Sequence, residues 1–199
     1  HQKSLTVSVF WPAWVWTNKP EFRFLCSSYA QFLSTDHSVK SRRVIDSQWY
    51  QARWSGKFQM MPDQNQKMRY ENDKTGHRIA TSVDGSATGE GGDILICDDP
   101  HNVTEKDSDT IRQGVLDWYD QVWTSRLNDL KTGRKIVIMH RVHERDLAGH
   151  LLDQGTYTHL CLPTEFEVDR KCVTVFVLNG NVSGFEDPRT EHGQLLCEE

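Results

Sequence analysis

Nowhere does this chain carry an apolar run long enough to span a bilayer. That excludes a helical membrane crossing within it, and no membrane partner is expected. Cysteine is sparse: Cys26, Cys97, Cys161, Cys172 and Cys197 are odd in number and scattered, and none forms a Cys-x-x-Cys. A disulfide framework is therefore not expected, and the thiols read as reduced. No charged leader followed by an apolar h-region opens the chain, so no secretory signal is visible. Internal repeats and low-complexity tracts are absent too. There is also no basic surplus: the net charge is −5 over 199 residues. It divides unevenly, +3 over residues 1–97 and −8 over residues 98–199. A chain that grips nucleic acid tightly by itself shows a strong basic face, and this one does not.

The most telling stretch present is Ile-Leu-Ile-Cys-Asp-Asp, residues 94–99, followed by Pro100. A short apolar run ending in two carboxylates is the pattern of a buried parallel strand that delivers acids to the edge of a sheet. Ligands of open α/β sheets bind at the carboxyl ends of strands. Two acids there suit a Mg²⁺-nucleotide site, one holding the metal through its water shell and the other orienting an attacking water. Strands also end in solvated Asp, so two further segments matter. Lys3-Ser4 runs into Leu5-Thr-Val-Ser-Val-Phe10, matching the last two positions of a G-x-x-x-x-G-K-[ST] phosphate loop. The upstream glycines are absent because the chain begins too late, and Gln2 stands where that pattern has Gly. Lys135-Ile-Val-Ile-Met139 is a second buried strand that ends in His140 and Arg141. His140, His143 and His150 are spaced by three and then seven residues with no nearby Cys, which argues against zinc.

Periodicity and turn chemistry predict alternating elements. A helix is expected over 3–14, limited or bent by Pro12. Strands are expected over 22–28, 93–98, 135–139 and 158–162. Amphipathic spacing predicts helices over 39–54, 108–127 and 144–154. In the 108–127 helix, Ile111, Val115, Trp118, Val122 and Trp123 form the apolar stripe, and Asp107 or Ser108 the cap. Hairpin strands are expected around Asn72–Gly76, over 67–70 and 78–83. This alternation implies an α/β fold with a parallel sheet and helices on both faces. Pro163 to about Arg170 reads as a boundary, giving a domain over 1–165 and a linker or hairpin over 166–199. In the latter, 172–178 and 182–185 flank an Asn179-Gly180 turn, and 186–193 is expected to be loop. The seven tryptophans read as core rather than as stacking platforms.

Three stretches together, Gly89-Glu-Gly-Gly-Asp-Ile-Leu-Ile-Cys-Asp-Asp-Pro-His-Asn102, Arg141-Val-His-Glu-Arg-Asp-Leu-Ala-Gly149 and Phe24-Leu-Cys-Ser-Ser-Tyr-Ala-Gln31, resemble the large terminase subunit of tailed bacteriophages. The resemblance covers nearly all of residues 3–165. It implies the ATP-driven motor that packages duplex DNA into proheads: an ASCE-type P-loop NTPase, a three-layer sandwich around a mostly parallel sheet. A small C-terminal hairpin would lead toward a nuclease domain whose acids lie beyond residue 199. The implied cofactors are ATP and Mg²⁺. The implied partners are double-stranded DNA, a portal protein, a small terminase subunit and further copies in a ring on the prohead, in the host cytoplasm.

On this resemblance Gln2, Lys3 and Ser4 bind nucleotide, Ser4 and Asp98 hold Mg²⁺, and Asp99 stands where many relatives carry Glu as general base. His140 takes the γ-phosphate-sensing position, where relatives often have Thr, Ser or Gln. The glycine-rich loop 87–92 would lie near the nucleotide. Glu90 replaces a basic residue of some relatives, leaving Arg42, Arg43 and Arg126 as undiscriminated candidates for a trans-acting arginine. Two rival readings stay open: an inert terminase fragment acting only in portal or subunit contacts, and a helicase-like translocase.

Overall fold

The computed structural model describes residues 2–85, 89–178 and 181–196. The chain forms two compact units, His1–His150 and Leu151–Glu199. Pro163, where the sequence suggested a boundary, lies within the second.

The first unit is a mixed α/β fold built on a six-stranded, mostly parallel sheet, as the alternation of elements implied. Its strands are β1 (Phe24–Ser28), β2 (Met60–Asn65), β3 (Arg69–Asn72), β4 (His77–Ser82), β5 (Ile94–Asp98) and β6 (Arg134–Ile138), in the order β2-β3-β4-β1-β5-β6. β4, β1, β5 and β6 are parallel, while β3 and β2 extend one edge antiparallel. β1 and β5 are the inner strands of the parallel run and are buried along their whole length. That is why β5 reads as a nearly unbroken apolar run, while β1 opens apolar and closes on the two buried serines Ser27 and Ser28.

Alternation across β1 and β5 sends Phe24, Cys26, Ile94 and Ile96 into one apolar cluster with Ala13, Trp16, Ile45, Tyr50, Phe58 and Tyr70. Trp16 is its hub. The indole meets the rings of Phe24, Phe58 and Tyr70 edge-on, and its Nε1–H donates to the Phe22 carbonyl at 2.9 Å. The opposite face, with Leu25, Leu95 and Cys97, is equally closed to solvent. Two of the tryptophans expected in the core, Trp14 and Trp49, are instead exposed.

The first helix, α1, continues past Pro12 rather than ending there. It runs as an α-helical turn (Gln2–Ser4), a π-helical stretch (Leu5–Phe10) and a final α segment (Trp11–Trp16). α2 (Gln31–Asp46) starts well before the 39–54 span expected, and it breaks at Ser47. There the Ser47 hydroxyl caps α3 (Gln48–Trp54) by accepting the Tyr50 N–H. The early start was hidden because the buried stripe of α2 is Ser34, Ser38 and Ser41 ahead of Ile45, which hydropathy does not mark as a core face.

α4 (Asp109–Trp118) is capped by Ser108 as expected, and it continues through a π turn, Tyr119–Trp123. The extra residue in that turn rotates the register. Val115, Trp118, Tyr119 and Trp123 are buried, whereas Ile111 and Val122 of the expected stripe face outward. The 77–82 strand pairs with 69–72 around the 73–76 turn as anticipated. Gly76 is required there, because a Cβ would strike the Pro20 carbonyl oxygen.

α5 (Leu147–Gln154) begins later than the 144 expected. In the second unit, residues 158–162 form no strand. Their alternating pattern finds no ladder, and the His159 carbonyl instead accepts the Thr174 hydroxyl at 2.6 Å. β7 (Val173–Leu178) and β8 (Asn181–Glu186) pair antiparallel as anticipated; the Asn179-Gly180 turn lies outside the described residues. The stretch after β8 is loop, as expected, and is tied down by side-chain bonds. Buried Arg189 grips buried Asp187 and also donates to the Pro163, Thr164 and Gln194 carbonyls.

Candidate functional site

The carboxyl end of β5 meets the start of α1. Ser4 Oγ donates to Asp98 Oδ1 at 3.0 Å, and Ser8 Oγ donates to Oδ2 at 2.6 Å. Lys3 Nζ donates to the Met139 carbonyl just past β6, at 3.1 Å. The structure thus brings Ser4 onto the double-acid strand across more than ninety residues of sequence, and Lys3 onto the end of the neighbouring strand β6. Gln2 stands exposed in the first turn of the same helix.

Asp99 is held from both flanking strands. Its N–H donates to the Ile138 carbonyl at 2.7 Å, and its carbonyl accepts the Tyr29 N–H at 3.0 Å. Its side-chain Oδ1 accepts the His140 main-chain N–H at 3.2 Å. These bonds keep Asp99 at φ +47°, a left-handed conformation that Asp tolerates better than most residues. Positive φ in a non-glycine residue persists only where the surroundings over-determine it, and such residues cluster at functional sites.

Of the residues proposed to sense phosphate, His140 is exposed beside Asp99, while Arg141 is not available for that role. Its guanidinium binds the buried Asp146 carboxylate at 3.0 Å and the Glu144 carbonyl at 2.8 Å. Asp146 also accepts the N–H groups of Val142, His143 and Gly149. Burial alone would raise its pKa, but these amide bonds, with the Arg141 charge, outweigh burial and hold it low. Arg141 and Asp146 therefore shape the turn into α5. His143 and His150 also find separate partners, the Arg145 N–H and the Asp120 carboxylate.

Three residues of the site went unmarked in the sequence. His37 of α2 places Nδ1 3.5 Å from Asp98 Oδ2. Arg78 of β4 is almost fully buried and donates to the Ser8 carbonyl at 2.9 Å and toward Cys26 Sγ. Ser8 links Asp98 to Arg78, donating its hydroxyl to the carboxylate and accepting the guanidinium at its carbonyl. Burial pushes the Asp98 carboxyl up, more than the Ser8, His37 and Ser4 contacts pull it down. Burial pushes His37 down, against the Asp98 charge and with help from Arg78. Pro12, four residues after Ser8, was the available sequence signal.

The donor set was tested against Mg²⁺. Octahedral Mg²⁺ with oxygens at 2.0–2.1 Å sets neighbouring ligands about 2.9 Å apart. Ser4 Oγ and Asp98 Oδ1 are 3.0 Å apart. Both are hard oxygen donors, and a buried carboxylate with a raised pKa lacks compensating positive charge. The pair fits a cation that takes few protein ligands and fills its remaining positions with water and phosphate oxygens.

In the glycine-rich loop, Ala87 and Thr88 lie outside the described residues. Glu90 pairs with Arg69 at 2.6 Å. Arg42 donates to Asn65, Arg43 is exposed, and Arg126 lines a cavity of about 230 Å³ with Trp118 and Trp123.

No protein-family profile matches the chain, and no curated protein matches it. Among solved structures the chain is similar to the crystal structure of the HK97 bacteriophage large terminase, at 15% identity and a TM-score of 0.49. The match covers 71% of this chain and 28% of that one, so the chain spans less than a third of that protein's length. A likeness this loose carries no argument about function.

Proposed function

We propose that this chain is the ATP-hydrolysing motor domain of a viral DNA-packaging terminase. The observation that carries the nucleotide-site reading is the bond from Ser4, at the start of α1, to Asp98 at the end of β5, with Lys3 beside it on the Met139 carbonyl just past the neighbouring strand β6. Main-chain N–H groups and the positive end of the helix dipole at a helix start favour phosphate. The Lys3 ammonium adds a charge for the β- and γ-phosphates.

Ser4 and Asp98 would hold Mg²⁺, which supplies neutralisation of charge on the phosphate oxygens. Asp99 would orient the attacking water through Oδ2, since Oδ1 is engaged by the His140 N–H. Asp is shorter than Glu, so its water must lie close or act through a second one. The exposed His140 imidazole would hydrogen-bond the terminal phosphate from the end of β6. The packaging role, with duplex DNA, portal protein and small terminase subunit as partners in a homo-oligomeric ring, rests on the sequence resemblance. The net negative charge then suits DNA contacts that are weak per subunit and multiplied around the ring.

The test is ATP hydrolysis with Mg²⁺, with and without duplex DNA, by this chain and by a form extended upstream. Lys3→Ala and Asp98→Ala should each abolish turnover. Turnover that survives both substitutions would remove the catalytic assignment and leave a structural fragment that binds portal or sister subunits.

A further inference from the structure

We infer that Ser8, Arg78 and Pro12 form a positioning device that sets the rotation of the Asp98 carboxylate. The inference rests on Ser4 and Asp98 being the Mg²⁺-holding pair.

Proline has no N–H to give the carbonyl four residues back. Pro12 therefore leaves the Ser8 carbonyl without its α-helical donor, and Arg78 donates there at 2.9 Å. The preceding stretch takes π spacing, with the Trp11 N–H reaching the Thr6 carbonyl. π-helical insertions within α-helices are frequent at functional sites. The result clamps α1 to β4 at one residue. The same residue's hydroxyl donates to Asp98 Oδ2 at 2.6 Å, and His37 approaches that oxygen at 3.5 Å. With Oδ2 held from inside, Oδ1 is left facing Ser4.

Arg78 makes no ion pair within 4 Å among the described residues, and its Nε has no hydrogen-bond partner. A buried guanidinium is poor value for stability in such a setting. Here it supplies a charged donor to a carbonyl that Pro12 cannot serve as an α-helical donor.

The experiment measures Mn²⁺ binding by electron paramagnetic resonance, with the 199-residue chain and a non-hydrolysable ATP analogue. The variants are Ser8→Ala, Ser8→Thr, Arg78→Met and, as control, Asp98→Asn. Loss of a group that orients a metal ligand weakens metal affinity about 10–100-fold. Ser8→Ala and Arg78→Met should weaken Mn²⁺ binding in that range, with nucleotide binding in EDTA unchanged; Ser8→Ala should melt close to wild type, whereas Arg78→Met, which takes a donor from a buried carbonyl, should melt lower. Ser8→Thr, which restores the hydroxyl, should bind Mn²⁺ as wild type does. Wild-type Mn²⁺ affinity in Ser8→Ala, with loss in Asp98→Asn, overturns the positioning role alone. Undiminished binding in Asp98→Asn, or no binding by wild type, overturns the metal site and the inference with it.

Discussion

The two compact units bury different proportions of apolar and charged groups. Residues 1–150 enclose large apolar side chains such as Trp16, Phe24, Leu25 and Ile96, and among the described residues the charges they bury are Asp98, Arg78, Arg112 and Asp146. Residues 151–199 bury few apolar side chains, Phe166 the largest, enclose a charge pair, Asp187 with Arg189, and leave Val173, Val175, Val177 and Val182 more than 60% exposed. The first unit thus has a core strong enough to tolerate buried charge and use it in a site. The second has a two-stranded hairpin, an architecture that is marginal on its own. It is organised by one guanidinium that collects three main-chain carbonyls. Where hydrophobic burial is small, hydrogen bonds decide the local fold.

Five outcomes would break or sharpen this contrast. The largest is expected from Asp98→Asn. If Ser4 and Asp98 hold Mg²⁺ as proposed, losing the Asp98 charge should cost several kcal/mol in the transition state, roughly a thousandfold in turnover. The melting temperature should hold or rise, because burial already disfavours the ionised carboxylate. A lower melting temperature would show Asp98 to be a structural anchor.

Next is Trp16→Ala. It removes the hub of the aromatic cluster and should destabilise the first unit by about 3–5 kcal/mol in a denaturant melt. A cost under about 1 kcal/mol would mean the cluster relaxes around the cavity. In the second unit, Arg189→Met should expose the amides of Phe166, Gly193 and Leu196 to hydrogen exchange, since their main-chain bonds span the segment Arg189 holds. Unchanged protection there would assign the order to the hairpin instead.

Acid should act through the histidines of the first unit. Burial lowers the pKa of both His101 and His77, so the unfolded chain takes up protons that the fold refuses. Stability is then present above the unfolded histidine value, about 6.5, and is lost as pH falls below it. The urea midpoint should drop between pH 7 and pH 5, and His101→Gln should flatten that slope.

The smallest effect is expected from Ser38→Ala. The Ser38 hydroxyl is fully buried without a hydrogen-bond partner. Its removal should be neutral or stabilising by up to about 1 kcal/mol. Destabilisation would reveal a partner for that hydroxyl.

Much of the candidate site could be read from the chain because its residues are neighbours along it: Lys3 with Ser4, and Asp98 with Asp99 at the end of an apolar run. Strand β5 was legible for the same reason, since it is buried on both faces and reads as a continuous apolar segment up to its acid, and β1 was legible from its apolar opening Phe24-Leu25-Cys26. Helix α2 was not, because its buried face is serine. The register of α4 was not, because a π turn shifts every later side chain.

Arg141 looked like a free polar group at a strand end until the fold supplied Asp146 as its partner. The sequence by itself determined the alternation of elements, the buried strands and the paired acids, all consequences of local hydropathy and turn chemistry. Only the tertiary structure decided that Ser8, His37 and Arg78 stand around Asp98. They come from α1, α2 and β4 and meet Asp98 of β5, and no local signal relates side chains that meet only when two helices and two strands pack together.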